Sequence, residues 1–366
     1  MYRRNFLKTA SFAVPAAALG VNGMRNINVQ ERRPIIIDGM GEIRVDYPMS
    51  LIAEVLDSGT NVVRISLGSP LPPDTAYQII IDTYTQYEKY IRTNSDYLMK
   101  ASSVADIEKA KKEGRLALMY YFQNVTPIGF DLDRIDFFKN LGITSIQLTY
   151  NTRNLVGDGC MDRTNSGLSE FGLKVIDRMN SLNILVDLSH ASMATMADGI
   201  KFSKQTVIVG HSGCKAVYEH PRNTTDENMR ALADKGGVIG MYQINPFLGP
   251  KERNTLEDYL NHIDHAVKVA GIDHVGISSD REHKHIPDTE EERKRLEKEM
   301  VGKSTKGIFT GSDQDKIDWP FFISELNGPR RMETVWAGLE KRRYKTGDIE
   351  KIMGSNFYRI FKEVIG

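Results

Sequence analysis

Apolar positions along the chain gather into short runs rich in Val, Ile and Leu, near-continuous rather than alternating with polar ones. They fall at residues 35–40, 61–67, 116–123, 145–150, 184–190, 206–211, 237–242 and 274–280. Near-continuous runs of this kind predict parallel strands buried on both faces. Stretches with helical spacing lie between them, among them 102–113, 131–140, 168–182, 225–235 and 256–270, and Asn223-Thr224-Thr225-Asp226 offers capping oxygens. Eight such β-α units predict an α/β protein built as a (β/α)8 barrel of the TIM type, with C-terminal helices over 330–345 and 347–365 closing it. Residues 282–318 break the rhythm with the run Glu290-Glu291-Glu292-Arg293-Lys294-Arg295. They predict a surface excursion near the barrel mouth whose charges are mostly solvated.

Composition narrows the function. The 366 residues carry 48 Lys and Arg against 48 Asp and Glu, so binding of nucleic acid or an anionic membrane through bulk charge is not expected. An apolar fraction of 40% with 26% charged residues suits a soluble globular protein. Two cysteines, Cys160 and Cys214, make at most one bridge and cannot build a zinc-thiolate cluster. The chain opens Tyr2-Arg3-Arg4-Asn5-Phe6-Leu7-Lys8, followed by an apolar run from Phe12 to Val21 that Pro15 interrupts. That run is too short for a bilayer, which needs about 20 residues. The paired arginines before Phe-Leu-Lys resemble a twin-arginine export signal; a basic amphipathic helix is the alternative. The expectation is a leader over residues 1–30 and one barrel domain over 31–366. The protein is then exported, either periplasmic or anchored on the outer side of the inner membrane where the leader is retained.

Active sites of such barrels lie at the C-terminal ends of the strands. The fifth predicted strand ends Val186-Asp187-Leu188-Ser189-His190, the sixth Val209-Gly210-His211-Ser212 and the eighth Ile277-Ser278-Ser279-Asp280. Two imidazoles and a carboxylate at one rim form a plausible divalent-metal set that leaves positions open for water. His220, His262, His265, His274, His283 and His285 read instead as solvated or internally satisfied side chains. Gly39-Met40-Gly41 is too short for a phosphate loop, and a nucleotide cofactor is not expected. A serine or cysteine nucleophile finds little support: Ser189 and Ser212 flank the two histidines without a Gly-x-Ser-x-Gly elbow, and Cys160 has no evident partner.

Longer motifs give a resemblance. Leu141-Gly142-Ile143, Leu148-Thr149-Tyr150-Asn151, Gly167-Leu168 with Phe171-Gly172, and Met179-Asn180 leading to Asp187-Leu188-Ser189-His190 resemble the membrane (renal) dipeptidases of the amidohydrolase superfamily. So do Gly210-His211-Ser212, His220-Pro221-Arg222-Asn223, the stretch 236–240, the run 273–280 and Gly354-Ser355-Asn356-Phe357. The likeness covers about residues 34–365. It implies a barrel with two zinc ions bridged by a hydroxide that attacks the peptide bond of a dipeptide. Carried over position by position, it makes His190 and His211 ligands of the second metal and Asp280 the catalytic Asp that helps bind and activate the water. Arg222 becomes the grip on the substrate carboxylate.

The rest of the expected shell departs. Where the family has Asp-Gly-His-x-Asp, this chain has Asp38-Gly39-Met40-Gly41-Glu42; Gln123 stands for the bridging Glu, and Tyr150 for a catalytic His. A thioether is a weak partner for zinc, and a neutral Gln cannot balance two adjacent dications. Three readings remain open. One is a rebuilt dinuclear dipeptidase, with Glu42 and Asp280 on one zinc, His190 and His211 on the other, and Gln123 near both. A second is a one-zinc amide or ester hydrolase. The third is an inactive protein binding a small carboxylate. Tyr150 could donate to an oxyanion and contact substrate, or only fill space. The expected partners are a small-molecule substrate, foremost a dipeptide, and no nucleic acid, with a homodimer allowed.

Overall fold

The structure, a computed structural model, describes residues 34–68, 73–304 and 320–366; the expected leader lies outside them. Nine strands form one sheet: β1 (Ile36–Asp38), β2 (Thr60–Ser66), β3 (Leu98–Lys100), β4 (Leu116–Phe122), β5 (Ile143–Gln147), β6 (Leu185–Asp187), β7 (Ile208–Ser212), β8 (Val238–Met241) and β9 (Val275–Ile277). The order is β1-β2-β4-β5-β6-β7-β8-β9, every pairing is parallel, and β3 joins from the side onto β4. The two ends of this path meet where the Gly39 amide donates to the Ile277 carbonyl at 2.8 Å. The result is the nearly closed eight-strand barrel of the (β/α)8 type that the runs of apolar residues predict.

The strand count needs one correction. β3 is a ninth strand, pairing with residues 116–118 of β4, while β5 pairs with residues 120–122 of the same strand. It is three residues long, and only Leu98 of it is fully buried, so it leaves almost no trace in the hydrophobic pattern. Elsewhere the elements fall close to expectation. Val104–Lys112 starts from Ser103, which forms a reciprocal capping box with Asp106. The Thr225 side chain accepts from the Asn228 amide at the head of Asp226–Asp234, and Thr255 does the same at Leu256–Ala270. Within the charged excursion, Glu290–Ser304 is a helix.

The barrel wall is largely apolar. β4 is buried at all seven positions. Val63, Ile65, Leu118 and Tyr120 join the large cluster, while Ile37, Val62, Ala117, Met119, Leu185 and Ile208 join a second one with Phe357, Ile360 and Phe361 of the C-terminal helix Asn356–Val364. Gly354 lets that segment reach the sheet, since a Cβ there would lie 2.1 Å from the Ile35 carbonyl oxygen. The apolar floor leaves the opposite, C-terminal end of the strands for polar groups. Among the described residues, no helix is long and apolar enough to cross a membrane.

Candidate active site

His190 and His211 come together at the rim. Their Nε2 atoms are 2.9 Å apart, and the rings cross edge to face at 4.9 Å between centroids. Both are buried, and burial, followed by the nearby Arg222 charge, holds both imidazoles well below their usual pKa, so they are neutral. Asn151 Oδ1 lies 2.7 Å from His190 Nδ1, and the Tyr150 ring stacks on His190 at 4.0 Å. Beneath them the Asp187 carboxylate accepts from the amides of Ser189 and Gly210, both at 2.9 Å. Ser189 Oγ in turn accepts from the His211 amide at 2.8 Å.

Asp280 follows β9. Its amide donates to the Met40 carbonyl at 2.7 Å, and the preceding Ser279 amide donates to Asp38 at 2.7 Å, which fixes the turn. Burial raises the Asp280 carboxyl to about 7 even though Arg222 opposes the shift. His190 and Asp280 have φ of 60° and 52°, two of the four non-glycine residues in the left-handed region among those described. Left-handed backbone at non-glycine residues collects at functional sites, where packing can hold the strain.

Arg222 sits on the loop after β7, its carbonyl accepting from Ser212 Oγ at 2.9 Å and its amide donating to His220 Nδ1 at 3.1 Å. Arg222 is 3% exposed, and its Nε and Nη2 have no hydrogen-bond partner. Its charge bears on His190, His211, Tyr150, Cys160 and Asp280 alike, which places it over the same chamber. A cavity of about 270 Å³ opens where the same loop meets Cys160, lined in part by Cys160, Ser192, Met193, Lys215 and Pro221 and by none of His190, His211, Arg222 and Asp280.

The remaining expected residues are arranged differently. Glu42 pairs with Arg44 at 2.6 Å, is about one-third exposed, and reaches Asp280 only through its charge. Gln123 is buried at the end of β4, where its carbonyl accepts from Gln147 Nε2 at 2.7 Å. Met40 is buried as well. Among the described residues, no group of three or more His, Cys, Asp or Glu is placed to hold a metal ion. What the structure does bring together is two neutral imidazoles whose Nε2 atoms converge, which could serve as two ligands of one ion. Only His190 has a partner on its other nitrogen; His211 Nδ1 is buried with none. Cys160 and Cys214 carry free thiols, and burial raises Cys160 to about 11, which leaves a poor nucleophile.

Sequence reasoning gave no role to Asn151, Asp187, Arg64 or His283. A charged residue inside an apolar strand was the available signal for two of them, Arg64 in 61–67 and Asp187 in 184–190. His283, read as solvated or internally satisfied, is the latter: it is fully buried with Nε2 2.9 Å from Asp38.

Comparison with known proteins agrees with this architecture. The sequence profile of the membrane dipeptidase family (peptidase family M19) matches residues 52–303, and the chain belongs to that family. An uncharacterized dipeptidase of Schizosaccharomyces pombe is 32% identical over 303 residues, 79% of this chain and 64% of that protein. Dipeptidase verJ of Clonostachys rogersoniana is 34% identical over 203 residues, 54% of this chain and 50% of its own. The chain thus spans between half and two thirds of the length of these relatives. An amidohydrolase from Pseudomonas aeruginosa superposes with a TM-score of 0.80 at 28% identity, over 93% of this chain and 99% of that one.

Proposed function

We propose that the chain hydrolyses small peptides, dipeptides foremost, holding the carboxylate end on Arg222 and moving the proton through Asp280. The carrying observation is Arg222, a residue almost without solvent whose Nε and Nη2 lack partners. A buried guanidinium with two unsatisfied donors is costly unless a ligand completes it, and its fork matches a carboxylate in two parallel hydrogen bonds. Relatives named as dipeptidases support the same substrate class.

In this reading one metal ion, with zinc the expected one, is held by His190 and His211. When bound, the ion supplies Lewis acidity toward water and the scissile carbonyl. Asp280, raised to about 7, is half ionised near neutral pH, so it can take a proton from the attacking water and return it to the leaving amine. Burial keeps the Tyr150 phenol protonated, so it can donate to the oxygen that gains charge. Asn151 fixes the His190 ring. The paired Arg3-Arg4 support export, to the periplasm or the outer face of the inner membrane.

The test is a panel of dipeptides and their C-terminal amides, assayed with zinc, with a strong chelator, and with the metal content per chain determined. Cleavage of free dipeptides, loss of it with the amides, and one zinc per chain are expected. Binding without turnover in every condition would reject hydrolysis and leave a carboxylate-binding protein. Two zinc per chain would reject the single-ion arrangement.

A further inference from the structure

Arg64 is among the largest side chains buried completely in the molecule. From β2 its Nη2 donates to Asp187 Oδ2 at 2.6 Å, Nη1 donates to Ser145 Oγ at 3.0 Å, and Nε donates to the Gly39 carbonyl. Its Cζ lies 4.2 Å over the Tyr121 ring. One guanidinium thereby ties β1, β5 and β6 together across the face of β4. The other oxygen of Asp187 accepts from Ser189 N, from Ser189 Oγ at 2.6 Å and from Gly210 N, and Ser189 Oγ accepts from the His211 amide. His190 follows Ser189 directly, in its left-handed conformation. Both imidazoles therefore hang from backbone that this ion pair fixes.

Stability alone explains such a pair poorly. A fully buried ion pair often contributes no more than a well-packed apolar replacement would. What an apolar replacement cannot supply is a planar fork holding several strand ends in fixed register. Metal ligation tolerates only small displacements of its ligands and depends on the groups behind them.

We propose that Arg64 is a positioning residue for the histidine pair, holding His190 and His211 through Asp187 and Ser189 so that both can share one ion. The inference rests on the single-ion reading above. The test is cobalt(II) titration of the metal-free protein, read by the visible absorption of the bound ion, for the wild type and Arg64→Gln. A core variant at the opposite, apolar floor, Phe361→Leu in the C-terminal helix Asn356–Val364, serves as a control with lowered melting temperature. Arg64→Gln is expected to weaken cobalt binding about tenfold to a hundredfold, while Phe361→Leu keeps wild-type affinity. Equal affinity in the wild type and Arg64→Gln overturns the proposal. If Arg64→Gln does not fold, Ser145→Ala removes one anchor of the guanidinium and leaves the ion pair. It should give a smaller loss, and no loss overturns the proposal.

A wild type that binds no cobalt rejects the single-ion reading instead. The role of Arg64 is then read in the metal-free protein from the imidazole 15N shifts of His190 and His211. Altered shifts in Arg64→Gln uphold positioning, and unchanged shifts overturn it.

Discussion

His190 and His211 face each other through Nε2 at 2.9 Å while Asn151 Oδ1 lies 2.7 Å from His190 Nδ1. An amide oxygen only accepts, so His190 carries its proton on Nδ1 and presents a lone pair at Nε2. His211 must then donate from Nε2, which leaves its buried Nδ1 without a partner. An ion held by both Nε2 atoms requires His211 to move its proton to Nδ1. Long-range 1H–15N correlation spectra should show the Nε2–H form of His211 in metal-free protein and the Nδ1–H form after zinc is added. The Nδ1–H form in both samples would contradict this arrangement.

Asn151 should matter to the metal more than to the fold. Its oxygen sets the proton position and ring orientation of His190, and loss of such a supporting partner typically costs about tenfold to a hundredfold in metal affinity. Asn151→Ala should show that loss in a chelator-competition assay, with far-UV circular dichroism unchanged. Asn151→Asp, which keeps an acceptor, should recover most of it.

Arg222→Met removes the proposed carboxylate grip while preserving much of the stem. Charge-assisted hydrogen bonds contribute about 1.5–3 kcal/mol each, so kcat/KM for free dipeptides should fall roughly a hundredfold or more. Dipeptide amides, which lack the carboxylate, should lose far less. Equal losses for both substrates would place the role of Arg222 elsewhere.

The Arg64–Asp187 pair leaves no room for a side chain at position 210. A Cβ on Gly210 would lie 2.1 Å from both Arg64 Nη2 and Asp187 Oδ2. Gly210→Ala must therefore separate a buried ion pair or displace β7. Overpacking of this kind costs about 1–3 kcal/mol, and disturbing the pair adds to it. A lowered midpoint of urea unfolding is expected, and an unchanged midpoint would show that the wall yields without cost.

The barrel was legible because its strands are largely apolar, and strand ends such as Ser189-His190 and Gly210-His211 pointed straight to the rim. β3 was not, because a three-residue strand whose middle and last residues are half-buried has no periodicity to detect. The histidine pair could be read from position alone, but its supports could not. The contacts Asn151–His190, Arg64–Asp187 and Arg64–Gly39 join residues 25 to 123 apart in sequence, and no local pattern encodes those. For His283 the sequence left solvated and internally satisfied side by side for a related reason: its partner Asp38, 245 residues away, is what draws it into the interior.

Asp280 offers a test whose sign follows from its environment. Burial raises its carboxyl to about 7; Arg222 and Arg281 oppose that shift, and Glu42 and Asp38 add to it. An unfolded aspartate titrates near 3.9, so the folded protein keeps this proton over a range where the unfolded chain has released it. Stability from this group is therefore complete below about pH 4, falls as pH rises toward 7, and is level above that. Asp280→Asn never ionises and escapes the loss. In chelator-treated protein its melting temperature should exceed that of the wild type at pH 8, with the gap narrowing toward pH 5. Asp187, held below its usual range by Arg64 despite its burial, contributes equally to both proteins and cancels. Activity should move the other way: Asp280→Asn should lose about a hundredfold to ten-thousandfold in kcat. A variant both more stable at high pH and inactive would separate the two roles of this carboxylate, whereas a melting temperature below that of the wild type at pH 8 would mean that its charge is paired in the folded protein.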